Sequence, residues 1–122
     1  MNRHIDQSSL RNLIQTGKQP FLPYERYGSK LAGVEWLPLS GSKDMEKEVY
    51  LIRFAPGSRS HPHIHQGTEE FLMLEGELTD DDGTVFQAGD FVRFEPNSEH
   101  SSFSENGCTA LVILSGGTNK AL

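Results

Sequence analysis

From Phe21 to its end the chain is a succession of short β-prone runs separated by turn-forming residues. The runs occupy 21–27, 31–39, 48–55, 69–75, 84–87, 90–95 and 109–114. Between them stand Gly28, Gly41-Ser42, Pro56-Gly57, Gly76, Asp82-Gly83, Gly89, Pro96 and Gly107. Glycine interrupts regular structure because ordering it costs backbone entropy, and proline because it lacks an N–H. Runs this short cannot bury an apolar face alone, so the pattern predicts an all-β sandwich or barrel. Asp82-Gly83, between 78–80 and 84–87, predicts a hairpin turn.

The N-terminus reads differently. Ile5, Leu10, Leu13 and Ile14 fall on one helical face, with Asp6 or Ser8 as N-cap, Gly17 as a stop and Pro20 blocking continuation. A short helix over 7–16 is expected, in an N-terminal segment 1–20 that precedes a barrel domain 21–122. In the run 69–75, alternation puts Glu69, Phe71 and Met73 on one face and Leu72 and Leu74 on the other. Two apolar faces suggest that one lines a barrel interior and the other packs on a second sheet or a second copy of the chain. A homodimer is expected, with the N-terminal helix at its interface. Trp36 and Phe54 are assigned to core or interface.

Composition removes several classes of function. The chain has 122 residues, 11 basic against 17 acidic, for a net charge of −6. Binding to nucleic acid or to an anionic membrane through phosphate neutralisation is not expected. No uncharged run approaches the roughly 20 apolar residues that span a bilayer, and the first residues hold no apolar signal core. The single cysteine, Cys108, cannot form an internal disulfide, so a cytoplasmic location is expected. Cys108 opens an apolar run and reads as a small buried residue rather than a nucleophile. Asp80-Asp81-Asp82-Gly83 lacks the later acidic ligands of a calcium loop and reads as a solvated turn.

Three of five histidines stand within five residues, in Ser60-His61-Pro62-His63-Ile64-His65-Gln66-Gly67-Thr68-Glu69-Glu70. In extended chain, His63 and His65 project from one face. Gly67 permits a bend, after which Glu69 or Glu70 can return to the same point. Two imidazoles and a carboxylate suit a divalent transition metal such as Zn, Fe, Mn, Ni or Cu. His61 shares the parity of His63 and His65 and reads as a loop residue or an outer support, while His4 reads as part of the terminus. Phe71 and Met73, on the Glu69 face, would wall the site. Arg53 and Arg93 interrupt apolar strands: turned inward they would bind a carboxylate or enolate, turned outward they would form surface ion pairs.

The spacing Gly57-x5-His63-x-His65-x3-Glu69-x6-Gly76 resembles the first motif of the cupin superfamily at every fixed position. Gly89-x6-Pro96-x3-His100 resembles the second motif, with an extra residue before the proline and a shorter gap to the histidine. Ser98 stands where glycine is common, and Ser104 where asparagine usually follows the last histidine. The stretches GTEEFLMLEGELTDDDG, AGDFVRFEPNSEH and NGC are similar to the cupin domain of ChrR-type anti-sigma factors and to stand-alone cupins related to acetylacetone dioxygenase. The resemblance covers roughly residues 30 to 115. It implies a jelly-roll barrel (a double-stranded β-helix) holding one divalent metal, Fe(II) or Zn(II) first and Mn or Ni next, on His63, His65, Glu69 and His100. Only Glu69 leaves the motif's six residues before Gly76.

Two functions follow from the resemblance. The first is a metal-dependent dioxygenase acting on a small organic substrate such as a 1,3-dicarbonyl. The second is a metal- or ligand-sensing module. ChrR-type cupins are joined to a helical zinc domain that holds the sigma factor, and the first thirty residues here carry one His and no Cys, so sigma-factor binding is not expected. Sugar-nucleotide epimerase cupins need no metal, and the full ligand set argues against that class.

Overall fold

The computed structural model describes residues 7–28, 30–42 and 44–122. Twelve strands make up nearly all of the regular structure: β1 (Leu22–Pro23), β2 (Val34–Ser42), β3 (Lys47–Phe54), β4 (Ser58–Arg59), β5 (His63–His65), β6 (Thr68–Asp80), β7 (Val85–Gln87), β8 (Phe91–Phe94), β9 (Glu99–His100), β10 (Ser102–Ser104), β11 (Cys108–Ser115) and β12 (Asn119–Ala121). The larger sheet runs β1-β2-β3-β11-β6-β10-β4, with β7 and β8 also paired to β6, and a second sheet runs β12-β5-β9. The all-β barrel expected from the turn pattern is present.

The expected helix over 7–16 is not. Only two 3-10 turns form there, Gln7–Leu10 and Thr16–Lys18. The described part of the apolar stripe is poorly covered: Leu10 and Leu13 are 67% and 76% exposed, and Ile14 is 37% exposed. An isolated helix of that length is marginal without tertiary burial, so periodicity alone does not sustain it. Ile5, Asp6 and His4 lie outside the described residues. No helix among the described residues is long and apolar enough to cross a membrane.

β6 organises the barrel because it pairs on both edges along its length. It begins with Glu69, Phe71 and Met73 inward, all buried. Its partner β11 then slips register: Ala110 faces Met73 but Thr109 faces Glu75, which leaves Leu74 as an extra residue. Such a bulge inverts the alternation beyond it, so the next buried side chains are Leu78 and Asp80. Gly76 follows the bulge with φ +74°, and a Cβ there would run into the Gly107 carbonyl oxygen. Gly67 is tight in the same way against the Ser115 carbonyl oxygen, so the turn from β5 into β6 can lie directly on the end of β11.

The core is built from Tyr24, Tyr50, Phe54, Phe71 and Met73 with the inward positions of β11. Trp36 packs against this cluster, and Cys108 is buried within it. The opposite face of the large sheet carries a continuous apolar row, Leu37–Leu51–Leu111–Leu72–Phe91, each residue paired across strands with the next. Leu37 and Leu51 are covered, Leu72 and Leu111 are half-buried, and Phe91 is 60% exposed.

Candidate metal centre

The three-residue strand β5 places His63 and His65 on one face, with Ile64 on the other. β9 runs antiparallel to it, with His100 directly opposite His63. On its other side β12 sets Asn119 opposite His65. Glu69, four residues after His65, enters from the start of β6. The ligand atoms of His63, His65, Glu69 and His100 all lie within 4.8 Å of one another, and all four residues are buried. Glu70 points elsewhere, to an ion pair with Arg93.

Each ring is held from behind through Nδ1. His63 Nδ1 donates to the His61 carbonyl oxygen at 2.8 Å, and His100 Nδ1 to Asp80 Oδ1 at 2.7 Å. His65 Nδ1 lies 2.8 Å from Ser98 Oγ. That hydroxyl already donates to the Glu95 carbonyl oxygen at 2.6 Å, so it must accept from His65. All three bonds put the proton on Nδ1 and turn Nε2 toward the common point.

There the three Nε2 atoms are buried and make no well-formed hydrogen bond. Glu69 Oε2 lies 3.0 Å from His65 Nε2 and 3.3 Å from His100 Nε2, close enough for charge attraction but poorly aligned. Its other oxygen accepts from Asn119 Nδ2 at 3.1 Å. Buried donors and acceptors are normally paired. Four convergent ligand atoms backed by outer hydrogen bonds are the arrangement of a metal site, so this donor set fits a divalent ion.

The charges agree. Burial pushes His63 down to about 4, which keeps it neutral as a ligand. Burial also acts to raise the Glu69 carboxyl, but the His100 and His65 rings hold it well below the ordinary carboxylate range. At His100 burial opposes the charge, yet the hydrogen bond to Asp80 and the attraction of the nearby Glu69 carboxylate outweigh it and push the ring up to about 9. Without a metal the His100 proton therefore stands in part where a cation would.

His63, Glu69 and His100 of the cluster form one wall of a cavity of about 50 Å³. By the volume that one water needs, this holds a handful of waters or a small organic molecule. Its other walls are mostly apolar, among them Leu31, Ile52, Phe54 and Phe71. Phe94 closes on the His100 and His65 rings, with centroids 4.2 and 5.1 Å away. Met73 is fully buried but lies outside the cavity lining. Tyr24, Tyr27 and Tyr50 line the cavity as well, and burial raises all three hydroxyls above the ordinary phenol range, so they remain protonated donors. Tyr24 acts on the Tyr27 hydroxyl electrostatically without meeting it at hydrogen-bond geometry.

Several readings of the sequence change here. Arg53 and Arg93 take the outward of their two readings, and neither lines the cavity. Arg53 is exposed, paired with Glu35 and lying over the Phe21 ring; Arg93 is exposed and paired with Glu70 and Glu95. Asp80 is not part of a solvated turn: it is 8% exposed and anchors His100 and Ser102, while Asp81 and Asp82 alone make the exposed turn. His61 supports the site through its carbonyl, not its ring. Cys108 is buried, and burial raises its thiol, which favours the neutral form over the thiolate. Sequence reasoning missed Asn119 and the three tyrosines, and saw Ser98 only as a departure from a motif.

A family model described as the ChrR Cupin-like domain matches residues 10–116. No curated protein matches. Among solved structures, an acetylacetone dioxygenase from Acinetobacter johnsonii superposes with a TM-score of 0.74 at 16% identity, over 95% of this chain and 78% of that one. The polyketide cyclase RemF from Streptomyces resistomycificus gives 0.73 at 15% identity, over 85% and 78%. At that identity the likeness carries the fold alone. A chain of the Rhodobacter sphaeroides complex of SigE with the anti-sigma ChrR gives 0.61 at 26% identity, over 73% of this chain and 48% of that one.

Proposed function

The chain belongs to the ChrR Cupin-like domain family, and on that footing we propose that it is a metal-dependent dioxygenase of the Fe(II) type, acting on a small organic substrate such as a 1,3-dicarbonyl. The observation that carries this reading is the set of three buried, unpartnered Nε2 atoms converging with a carboxylate at the wall of an apolar cavity. His63, His65, Glu69 and His100 would hold the ion. Bound there, Fe(II) supplies Lewis acidity to an oxygen-donor substrate and electrons to O₂. His61, Ser98, Asp80 and Asn119 keep the four ligands oriented. Phe54 and Phe71 keep the pocket apolar, which strengthens electrostatic interactions inside it.

Oxygen uptake by the iron-loaded protein over a panel of 1,3-dicarbonyls tests the activity. Consumption of O₂ dependent on both iron and at least one diketone is expected. No uptake with any member, in protein shown to contain iron, counts against it.

The family model and the 26% identity to the SigE–ChrR chain favour a second reading, a metal- or ligand-sensing module without catalysis. That reading expects tightly held zinc and a partner protein released when the zinc is chelated.

We further propose that two copies pair through the uncovered end of the apolar row on the outer sheet face, Leu111, Leu72 and Phe91, joined by the exposed N-terminal Leu10 and Leu13. Light scattering should give twice 13.6 kDa, and Leu72→Glu should halve that mass. A monomer mass for the unaltered protein at working concentration would defeat the idea.

A further inference from the structure

The cavity beside the four metal donors holds one more polar atom that the fold does not use. Tyr27 lies against His63, ring centroids 6.0 Å apart and planes 21° from parallel. Its hydroxyl is buried, and no described residue, the nearby Tyr24 included, meets it at hydrogen-bond geometry. Five buried side-chain atoms are unpartnered in this way among the described residues. Three are the Nε2 atoms of the centre, and the Tyr27 hydroxyl belongs to the same cavity. The fifth, Arg26 Nε, is outside it; that guanidinium lies over Trp36 and is clamped by Glu48.

A buried hydroxyl without a partner costs stability that packing does not return. An occupant of the cavity, which Tyr27 lines, can satisfy it. The walls around it are largely apolar, so an occupant that fills the space and pairs the hydroxyl must be mostly hydrocarbon with a correctly placed oxygen. A tyrosine and a phenylalanine fill this wall equally well; only the tyrosine discriminates between occupants with and without that oxygen.

We propose that Tyr27 determines specificity by donating a hydrogen bond from its hydroxyl to a second oxygen of a small organic carbonyl or oxyanion ligand whose first oxygen meets the metal. The proposal rests on the metal reading above. It assigns a selective role to a residue outside the ligand set, on the segment between β1 and β2, and it fixes the ligand class as compact molecules carrying two oxygens.

The test compares the unaltered protein with Tyr27→Phe, both loaded with Co(II), with metal content measured first. Pentane-2,4-dione is then titrated without oxygen and followed by the visible Co(II) spectrum, with pentan-2-one as the single-oxygen control. The variant should keep its cobalt and its thermal midpoint, or gain in the latter. Its Kd for the dione should rise about tenfold, the size of one hydrogen bond to a charged or polarised group. Its preference for the dione over the mono-ketone should shrink with it. Equal dione affinity in both proteins overturns the role of Tyr27 and leaves the metal centre standing. That role is equally overturned if the variant loses thermal stability with no change in Kd, which would mark a structural hydroxyl, or if the cobalt-loaded unaltered protein binds no dione. A protein that takes up no cobalt overturns both readings.

Discussion

Replacing His63 and His65 together with alanine is expected to reduce bound metal from stoichiometric to background in protein purified without a histidine tag. The two residues supply half of the ligand set and both sit on β5, whose alternation gives them a shared face. What would remain is Glu69 and His100, too few protein ligands to hold a divalent ion in a closed site. Elemental analysis of the two proteins, with far-UV circular dichroism to show that the barrel still forms, reads the result. Metal at the parent level in the double variant would exclude these histidines as ligands.

The same substitution should uncouple thermal stability from metal. An ion that binds only the folded chain stabilises it by about 4 kcal/mol when present at a thousandfold above its Kd. For a chain of 122 residues that corresponds to a rise in Tm of roughly 10–20 °C. A chelator should therefore lower the midpoint of the unaltered protein by about that much and leave the double variant unmoved. A chelator effect of similar size in both would place the stabilising ion elsewhere.

How much of this centre could be read in advance depended on whether local alternation survived. His63 and His65 were legible because two residues in extended chain face one way, whatever the rest of the fold does. Glu69 needed motif spacing, because the bend at Gly67 resets the parity between β5 and β6. Asp80 was illegible for a definite reason. Counting in twos from Glu69 puts residues 79 and 81 inward, and only the extra residue at Leu74 brings Asp80 to the His100 ring. Asn119 sits on a three-residue strand after two glycines, with no pattern to read. Arg53 and Arg93 showed only that an arginine stood in an apolar strand; the pairs with Glu35 and Glu70 that help hold them outward depend on cross-strand neighbours. The N-terminal stripe was legible as a pattern and misleading as a helix, because a pattern forms structure only where something covers it.

Asp80 therefore carries the second large prediction. Asp80→Ala should weaken metal binding by about 10–100-fold, the usual cost of removing a group that orients a ligating histidine. The carboxylate lies 2.7 Å from His100 Nδ1 and also accepts from Ser102 Oγ at 3.2 Å. Without it the ring loses its anchor, its fixed tautomer and part of its basicity. Competition against a chromophoric chelator measures the affinity, and saturating metal should still fill the site, unlike the double histidine variant. The metal-free proteins should differ in a pH-dependent way. In the unaltered chain burial opposes a charged His100, but Asp80 and Glu69 raise it to about 9. A pKa raised above the unfolded value of about 6.5 stabilises the fold fully below that pH, and the stabilisation fades as pH climbs through about 9. The stability gap between the unaltered protein and Asp80→Ala, from denaturant titrations with chelator present, should be widest near pH 6 and narrower near pH 10. A gap independent of pH would show that Asp80 serves the barrel by packing alone.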